Sequence, residues 1–304
     1  LKKEIMKNKS FTLIEMLVII VIIGLLVGVI ITATSSYIEE ANRAKSISFS
    51  NKIEKEHSLD SGVLEWNLNE SSGSVASDLW GSKNGTLNYF NFDTNSGWRS
   101  GDECVLGGCL QFDGVDDYLL GDTKLTDYTK PIVIELWLKI PSSFTWINGT
   151  IAMLSTNTSY GMGIFRYANN NVLIFASRIG SVSVYGTQSY AIKRDTYYHL
   201  VFAGNGTSFD AYVNGQKINT SSPAYGILSG SYLTGVFRVG NRTIYGGDGG
   251  GYLKGNIDEI RVYNSLLSAY QIKRNYIIGL NSLLAYGELT EDEYNERIGQ
   301  LAQN

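Results

Sequence analysis

Residues 132–140 have the sequence IVIELWLKI, in which strongly apolar positions alternate with mixed ones. Successive side chains of a β-strand point to opposite faces of the sheet, so every second residue shares a face. This stretch therefore predicts a strand that lies with one face against a hydrophobic core. The core face would carry Ile132, Ile134, Leu136, Leu138 and Ile140, and the other face Val133, Glu135, Trp137 and Lys139.

Comparable runs of β-branched and aromatic residues flank this strand from about residue 61 to residue 278, separated by Gly, Asn, Asp and Ser. Short strand-like runs separated by turn-forming residues are typical of all-β domains. Asn214-Gly215, between FDAYV and QKI, is a strong signal for a two-residue hairpin turn. We predict about ten to thirteen antiparallel strands, arranged as a β-sandwich or jelly roll. The clearest further candidates are VLEWNL at 63, DYLLG at 117, TIAML at 150, GIFRY at 163, NVLIFAS at 171, YYHLVFAG at 197, FDAYV at 209, FRVG at 237 and NIDEIRVY at 256.

A different pattern occupies residues 11–34, FTLIEMLVIIVIIGLLVGVIITAT, whose one charge is Glu15. As a helix this run would be about 36 Å long, enough for a hydrocarbon core about 30 Å thick. Residues 1–10 before it are basic, so the positive-inside rule predicts a cytoplasmic amino terminus and a single-pass anchor in the cytoplasmic (inner) membrane, with the rest of the chain outside. Burying Glu15 unpaired would cost at least a few kcal/mol, so this carboxylate requires a partner.

The segment KSFTLIEMLVIIVIIGLL resembles the amino terminus of type IV pilins and of the pseudopilins of type II secretion systems. The resemblance implies a leader at residues 1–10, which a prepilin peptidase removes between Ser10 and Phe11, and methylation of the new amine on Phe11. The assembly helix would cover residues 11–57, and the cationic amine of one subunit would neutralise Glu15 of its neighbour. The chain departs from the family pattern by having Ser10 where Gly is preferred and Thr32 where many pilins have Pro. Translation would start at Leu1 or at Met6.

The order of the β-segments over residues 61–278 resembles the concanavalin A-like, laminin-G-like jelly-roll domains. This resemblance implies a mainly β fold, with short helices after the last strand. Capping boxes are predicted at Ser268 with Gln271 and at Thr290 with Glu293, so residues 279–304 are expected to form a helical tail. The segments that carry the resemblance are VLEWNLNE, VASDLWGSKNGTL, CLQFDGVDDYL, IVIELWLK, YYHLVFAGNGTSFDAYVNGQ and GNIDEIRVYNSLLSAYQI.

The resemblance also implies a structural calcium ion, because members of this family often hold one where the first segments meet the closing strand. Oxygen ligands suit that hard cation. By position in the motifs, the candidate ligands are Asp78 and Asp258, with Asn84 as a third. The alternative is that Asp78 caps a turn and Asp258 pairs locally. Asp113, Asp116 and Asp117 in FDGVDD are also dense in carboxylates, but Asp-Gly is an ordinary turn sequence and we expect a turn there.

Cys104 and Cys109, in ECVLGGC, are expected to form a disulfide if the domain is exported. Gly107 and Gly108 between them let so short a loop close. The stabilisation expected from this small loop is about 2 kcal/mol. Two reduced thiols would require the cytosol, which conflicts with the predicted topology.

No constellation for catalysis stands out in the sequence. Hydrolases of this fold use an E-x-D-x-x-E type strand, and the sequence contains none. Asp258 and Glu259 are neighbours and would point to opposite faces of a strand. His199 in YYHLVFA is expected to be a packed strand residue rather than a catalytic base. Aromatic candidates for sugar stacking in the Gly- and Asn-rich loops are Tyr160, Tyr185, Tyr245, Tyr252, Trp98 and Trp146.

Together these features predict a non-enzymatic subunit of a type IV pilus or of a type II secretion-type filament. Its laminin-G-like domain would bind a glycan or another surface, and its partners would be the prepilin peptidase and other pilin or pseudopilin subunits. The net charge of −4 gives no reason to expect nucleic acid. The alternatives are a membrane-anchored glycoside hydrolase of the same fold and a purely structural subunit without a ligand.

Overall fold

A computed structural model of the chain divides it into two units, Leu1–Lys45 and Ser46–Asn304. In the first unit, residues 13–14 and 16–24 are helical. Nearly all of the second unit that is described belongs to a β-sandwich with two helices at its carboxyl end. The described residues are 13–14, 16–24, 61–121, 131–144, 149–155, 160–167, 172–179, 188–205, 208–218, 236–241 and 251–302.

The described residues of the second unit form sixteen strands, one 3₁₀ turn at Gly101–Glu103 and two α-helices, α1 (Ala269–Ala285) and α2 (Glu291–Leu301). The strands are β1 (Gly62–Trp66), β2 (Val75–Ala76), β3 (Gly85–Asn88), β4 (Gly97–Ser100), β5 (Gly108–Asp113), β6 (Tyr118–Gly121), β7 (Ile132–Lys139), β8 (Gly149–Ser155), β9 (Tyr160–Tyr167), β10 (Val172–Ile179), β11 (Gln188–Ala191), β12 (Tyr197–Gly204), β13 (Phe209–Val213), β14 (Gln216–Ile218), β15 (Val236–Val239) and β16 (Lys254–Tyr263).

The strands form two antiparallel sheets. Sheet A has the order β14-β13-β12-β7-β16-β5-β4, and β1 pairs with β16 beside this path. Sheet B has the order β11-β10-β9-β8-β15-β6-β3-β2. The chain crosses between the sheets from β3 to β4 and from β5 to β6. Asp113, the last residue of β5, lies opposite Lys254, the first residue of β16, and β4 begins beside the same end of β5. Both crossings therefore lie at the end of the sandwich where β16 begins. We call this the β16-start end of the sandwich.

The central strand β7 follows the predicted alternation. Ile132, Ile134, Leu136 and Leu138 belong to the main core cluster between the sheets. That cluster also holds Trp66 of sheet A, whose ring lies 5.5 Å from that of Phe237 in sheet B. The mainly β fold and the alternation of β7 are thus as predicted.

The opposite face of sheet A is covered by the two carboxyl-terminal helices. Trp137 of β7 stacks on Tyr276 of α1 with ring centroids 5.7 Å apart, and Leu289 and Leu301 join the same buried cluster. Both predicted capping boxes are present, at Ser268 for α1 and at Thr290 for α2. The boundary that we placed between residues 278 and 279 falls inside α1. The apolar residues of both helices pack against sheet A, so the tail is part of the folded domain.

The prediction that Asp258 and Glu259 point to opposite faces is wrong because β16 contains a bulge. The register against β7 shifts between Asp258 and Arg261, and Glu259 has a φ of 52°. The extra residue keeps Ile257 and Ile260 in the core, three positions apart. Glu259 instead turns toward Arg261, on the same side of the sheet as Asp258.

The Asn214-Gly215 turn joins β13 to β14 as predicted, and both residues have positive φ, 52° and 75°. Such a turn matches the right-handed twist of the flanking strands. The strands that the sequence pattern did not indicate are short ones, including β2 (VA), β3 (GTLN), β4 (GWRS) and β11 (QSYA).

Candidate functional site

The predicted processing and assembly residues Ser10, Phe11 and Glu15 lie outside the described residues. On either side of Glu15 in the sequence, the helical residues carry large apolar side chains that are exposed, with exposed fractions between 84% for Leu13 and 41% for Ile19. Among the residues that the structure describes, no helix combines the length and apolar character needed to cross a bilayer.

Asp78 and Asn84 lie together in the loop between β2 and β3. The Asn84 Oδ1 atom accepts from the backbone N–H of Asp78 at 2.9 Å. The Asp78 carboxylate accepts from the backbone N–H groups of Glu65 at 3.0 Å, Trp80 at 3.1 Å and Lys83 at 2.9 Å. These bonds anchor the loop to β1, which is the capping role that we gave as the alternative.

Asp258, the other main candidate for a calcium ligand, faces the disulfide loop instead. Cys104 and Cys109 are joined as a disulfide with their Cα atoms 5.4 Å apart. The Oδ2 atom of Asp258 accepts from the N–H groups of Val105 at 2.8 Å and Leu106 at 2.9 Å. Burial raises the pKa of Asp258 to about 7, against the lowering effect of these hydrogen bonds.

The bonding of Asp78 and Asp258 does not fit a shared cation. Their described partners are N–H donors, whose positively polarised hydrogens occupy the carboxylate lone pairs that a metal ion would use. Each carboxylate ties a different loop to the sandwich. The assignment of calcium to Asp78, Asn84 and Asp258 stays a prediction.

A buried polar network lies on the helix-covered face of sheet A, around Glu135 of β7. Its carboxylate accepts from His199 Nε2 at 2.7 Å, Tyr263 Oη at 2.8 Å and Asn275 Nδ2 at 3.0 Å. Burial alone would raise the pKa of Glu135, but the hydrogen bond and charge of His199, with Arg261 and Asn275, lower it to about 2. Glu135 and His199 are both fully buried. A substrate therefore cannot reach this pair without displacing α1.

A second buried group surrounds Arg261 on the same side of the sheet. Its Nε atom lies 2.8 Å from Glu65 Oε1, and its Nη2 atom contacts Glu259. All three side chains are at most 6% exposed. The two carboxylates are held by the guanidinium rather than facing a cleft.

The β16-start end of the sandwich carries three carboxylates, in the loop from β5 to β6. Asp113, Asp116 and Asp117 each offer an oxygen, and these oxygens lie within 4.8 Å of one another. We call residues 113–117 the acidic turn. The turn predicted here is present, since Asp113 Oδ1 accepts from the N–H of Val115 at 2.7 Å and Gly114 has a φ of 85°.

Asp117 is the fully buried member of the acidic turn. Its Oδ2 atom accepts from Ser96 Oγ and from the N–H of Asp113, both at 2.8 Å. Its Oδ1 atom is buried and has no hydrogen-bond partner. Burial raises the pKa of Asp117 to about 7, and the carboxylate of Asp113 raises it further, although the bonds from Ser96 Oγ and from the N–H of Asp113 lower it.

Exposed aromatic side chains lie beside the acidic turn, in the crossing from β3 to β4. Tyr89 is 66% exposed and Phe92 is 48% exposed, and the Tyr89 ring lies 5.8 Å from that of Tyr118, which follows Asp117. Both loop residues have positive φ, 65° for Tyr89 and 53° for Phe92. Such conformations cost about 1–2 kcal/mol for residues with a side chain. We call residues 89–97 the aromatic loop.

The hydrogen bonds of Ser96 hold the aromatic loop to the acidic turn. Ser96 Oγ accepts from the N–H of Asn91 at 3.2 Å and donates to Asp117. Gly97, with a φ of 112°, lets the chain pass the Phe92 ring, since a Cβ atom there would lie 2.9 Å from Phe92.

The aromatic residues predicted for sugar stacking are less exposed where they are described. Trp98 and Tyr252 are half-buried, and Trp98 Nε1 donates to the carbonyl of Gly73 at 2.7 Å. Tyr185, Tyr245 and Trp146 lie outside the described residues, and the side chain of Tyr160 is not described. Sequence reasoning missed Tyr89 and Phe92 because nothing in the local pattern NYFNFD indicates that their rings are exposed.

The concanavalin A-like lectin/glucanases superfamily matches residues 113–273, more than half of the chain. The chain therefore belongs to this superfamily. Residues 5–31 match the prokaryotic N-terminal methylation motif. No sequence among the curated proteins is significantly similar to this chain.

Several solved structures share the fold. Domain 4 of an extracellular GH43 arabinanase from Geobacillus stearothermophilus, in complex with arabinotriose, has a TM-score of 0.53 at 17% identity, with 69% of this chain and 95% of that chain covered. Trypanosoma rangeli sialidase in complex with sialic acid has a TM-score of 0.51 at 14% identity, over 71% of this chain and 32% of that one. The binding domain of Botulinum neurotoxin serotype D has a TM-score of 0.51 at 13% identity, over 71% of this chain and 50% of that one. At these identities the likeness concerns the fold, and this chain spans about a third of the sialidase.

Proposed function

We propose that the protein is a filament subunit of the type IV pilin or pseudopilin kind, and that its β-sandwich binds a glycan outside the membrane. The observation that carries the first part is the match of residues 5–31 to the methylation motif. That match contains Ser10, Phe11 and Glu15, the residues at which processing and assembly would occur.

The physical basis for assembly is the combination of an apolar helix and one carboxylate. Residues 13–14 and 16–24 expose large apolar side chains, such as Leu13 and Ile20, which are stable in lipid or in a helix bundle but not in water. Glu15 lies among them and requires a positive charge nearby. Cleavage before Phe11 creates such a charge on a neighbouring subunit. Before assembly, the same helix would hold the subunit in the inner membrane.

The second part of the proposal places glycan binding at the aromatic loop. Tyr89 and Phe92 present their rings to solvent, and aromatic faces stack on the apolar faces of sugars. Both residues have strained φ values, and Asn91 between them donates its N–H to Ser96 Oγ, so the structure holds the loop in a costly conformation that displays the two rings. The arabinanase domain, of the same fold, was solved with an arabinotriose bound.

The proposal assigns no catalytic step. Within the described residues, Glu65, Glu135 and Glu259 are buried on the helix-covered face and are engaged by Arg261 or His199. A glycosidase needs two carboxylates that flank the sugar. These three glutamates are therefore not suited to be the catalytic pair of a glycosidase.

Processing can be tested on the protein purified from a host with a prepilin peptidase. We expect mass spectrometry to find a mature amino terminus at Phe11 carrying a methyl group. Glu15→Ala should leave membrane insertion intact and abolish incorporation into filaments, whereas Glu39→Ala, a carboxylate beyond the apolar run, should assemble normally. An unprocessed amino terminus, or normal filament yield from Glu15→Ala, would contradict the assembly role.

Glycan binding can be tested with the full chain in detergent on a glycan array. Tyr89→Ala and Phe92→Ala should each weaken binding by about 2- to 12-fold, the equivalent of 0.5–1.5 kcal/mol for one aromatic contact. Tyr270→Ala is the matched control, because Tyr270 is 72% exposed on α1. Release of sugar from bound glycans would indicate a hydrolase, and the absence of any bound glycan would indicate a structural subunit.

A further inference from the structure

We propose that the acidic turn binds one calcium ion through Asp113, Asp116 and Asp117, and that the ion fixes the adjoining aromatic loop. The calcium site expected from the family lies elsewhere, at Asp78, Asn84 and Asp258. The inference does not depend on glycan binding, because it concerns metal affinity and loop order alone.

The spacing of the three carboxylates suits a shared ion. Their oxygens lie within 4.8 Å of one another. Oxygens on one calcium ion are each 2.3–2.6 Å from it, so two of them can be up to about 5 Å apart. Magnesium holds its ligands at 2.0–2.1 Å in a near-octahedral arrangement, which limits that separation to about 4.2 Å and favours water over clustered carboxylates. The less demanding geometry of calcium fits a short turn better.

The buried oxygen of Asp117 points to a missing partner. Its Oδ2 atom is oriented by Ser96 and Asp113, whereas Oδ1 is buried without a hydrogen-bond donor. Buried polar atoms in folded proteins nearly always have a partner. Because Asp117 belongs to the cluster of three carboxylates, a cation is a partner that would satisfy this oxygen and offset the repulsion among the charges.

The hydrogen bonds of the turn leave room for the metal. Asp113 uses Oδ1 to accept from Val115, which leaves its Oδ2 atom for a ligand. Asp116 is half-buried and forms no hydrogen bond or ion pair with the described part of the chain. Lys254 packs its aliphatic stem near Gly114, but no lysine or arginine among the described residues is ion-paired to these carboxylates. The turn that the sequence predicts and a metal site are therefore compatible.

The connection to the aromatic loop runs through Ser96. An ion on Oδ1 would hold the Asp117 carboxylate in place, and Oδ2 of the same group accepts from Ser96 Oγ. Ser96 in turn accepts from Asn91, and its backbone N–H donates to Asp93 Oδ1 at 3.1 Å. Removing the ion should therefore loosen the segment that displays Tyr89 and Phe92.

The test measures metal binding to the full chain in detergent after treatment with EDTA and removal of the chelator. Calcium at 100 times its dissociation constant should raise the Tm by at least about 5 °C. Tb³⁺ should bind at the same place, and its luminescence should be excited through the neighbouring Tyr118. Calcium should displace the Tb³⁺, and Tyr118→Phe should dim the signal without changing the affinity for calcium.

Asp116→Asn is the decisive variant, because this side chain forms no hydrogen bond or ion pair with the described residues that the substitution would break. It should weaken calcium binding at least 10-fold, and Asp117→Asn should do the same. Asp102→Asn, on the exposed 3₁₀ turn, is the control and should bind as the wild type does. Protease cleavage within residues 89–97 should become faster on calcium removal in the wild type and be insensitive to calcium in Asp116→Asn.

Three results would overturn the inference. One is the absence of saturable binding at millimolar calcium, which would mean that Asp117 satisfies its buried oxygen with a proton. Another is unchanged affinity in Asp116→Asn together with loss of binding in Asp78→Asn, which would place the ion at the site expected from the family. The third is calcium binding without any change in the cleavage rate of the aromatic loop, which would show that the ion does not order that loop.

Discussion

Protonating Glu135 should destabilise the domain by about 3 kcal/mol. Its pKa is about 2 in the folded chain and 4.5 ordinarily, because His199, Arg261 and Asn275 favour the ionised carboxylate more than burial disfavours it. A lowered pKa stabilises the fold at pH values above 4.5, and this contribution disappears as the pH falls toward 2. The difference of about 2.5 pKa units corresponds to about 3 kcal/mol at 1.36 kcal/mol per unit.

The assay is urea denaturation of the wild type and Glu135→Gln at several pH values between 7 and 2.5. Other carboxylates titrate in both proteins, so the informative quantity is the difference between their free energies of unfolding. We expect the wild type to lose about 2.5 kcal/mol more than the variant between pH 6 and pH 2.5. Glu103→Gln, whose side chain is 56% exposed, should follow the wild type. Parallel pH profiles for the wild type and Glu135→Gln would refute the reasoning.

Four further substitutions test the packing and cross-linking of the second unit. Gly279→Ala should cost about 1–3 kcal/mol, because its Cβ atom would lie 2.2 Å from the Trp137 ring, while Gly299→Ala, with open space around it, should stabilise α2 by up to about 1 kcal/mol. Arg261→Met should cost about 3–5 kcal/mol, since it removes the guanidinium that contacts two buried carboxylates. Cys104→Ser should lower the free energy of unfolding by about 2 kcal/mol by opening the disulfide loop.

Chemical denaturation at pH 7 measures all of these effects. Equal stability of the two glycine variants would mean that α1 can move away from sheet A. A near-neutral Arg261→Met would mean that water reaches the buried carboxylates. If dithiothreitol lowers the free energy of unfolding of the wild type as much as Cys104→Ser does, the loss is caused by the missing disulfide and not by the introduced serine.

The features that the sequence predicted are local ones. Alternation in β7, the Asn214-Gly215 turn and the capping box at Ser268 each depend on residues that are neighbours in the chain. Their conformations follow from short-range sterics and hydrogen bonds. The disulfide belongs to the same group, since its two cysteines are five positions apart.

The features that escaped prediction depend on contacts between distant residues. Asp258 accepts hydrogen bonds from Val105 and Leu106, about 150 positions away. The bulge turns the Glu259 carboxylate toward Arg261, and Arg261 also donates to Glu65 of β1. Short edge strands such as β4 carry no hydrophobic period of their own because pairing with a longer strand suffices to order them. The exposure of Tyr89 depends on how two crossings meet, which no local pattern contains.

The pairing of β1 with β16 also determines how the domain would respond to mechanical load. The chain reaches β1 at Ser61, whose carbonyl accepts from Asn264 at 2.8 Å, and Gly62 lies opposite Tyr263. The acidic turn lies at the other end of β16, about 30 Å away over its ten residues. A pull applied between residue 61 and a ligand held at the aromatic loop would act along these strands, so the hydrogen bonds between β1 and β16 would be sheared together rather than opened one at a time.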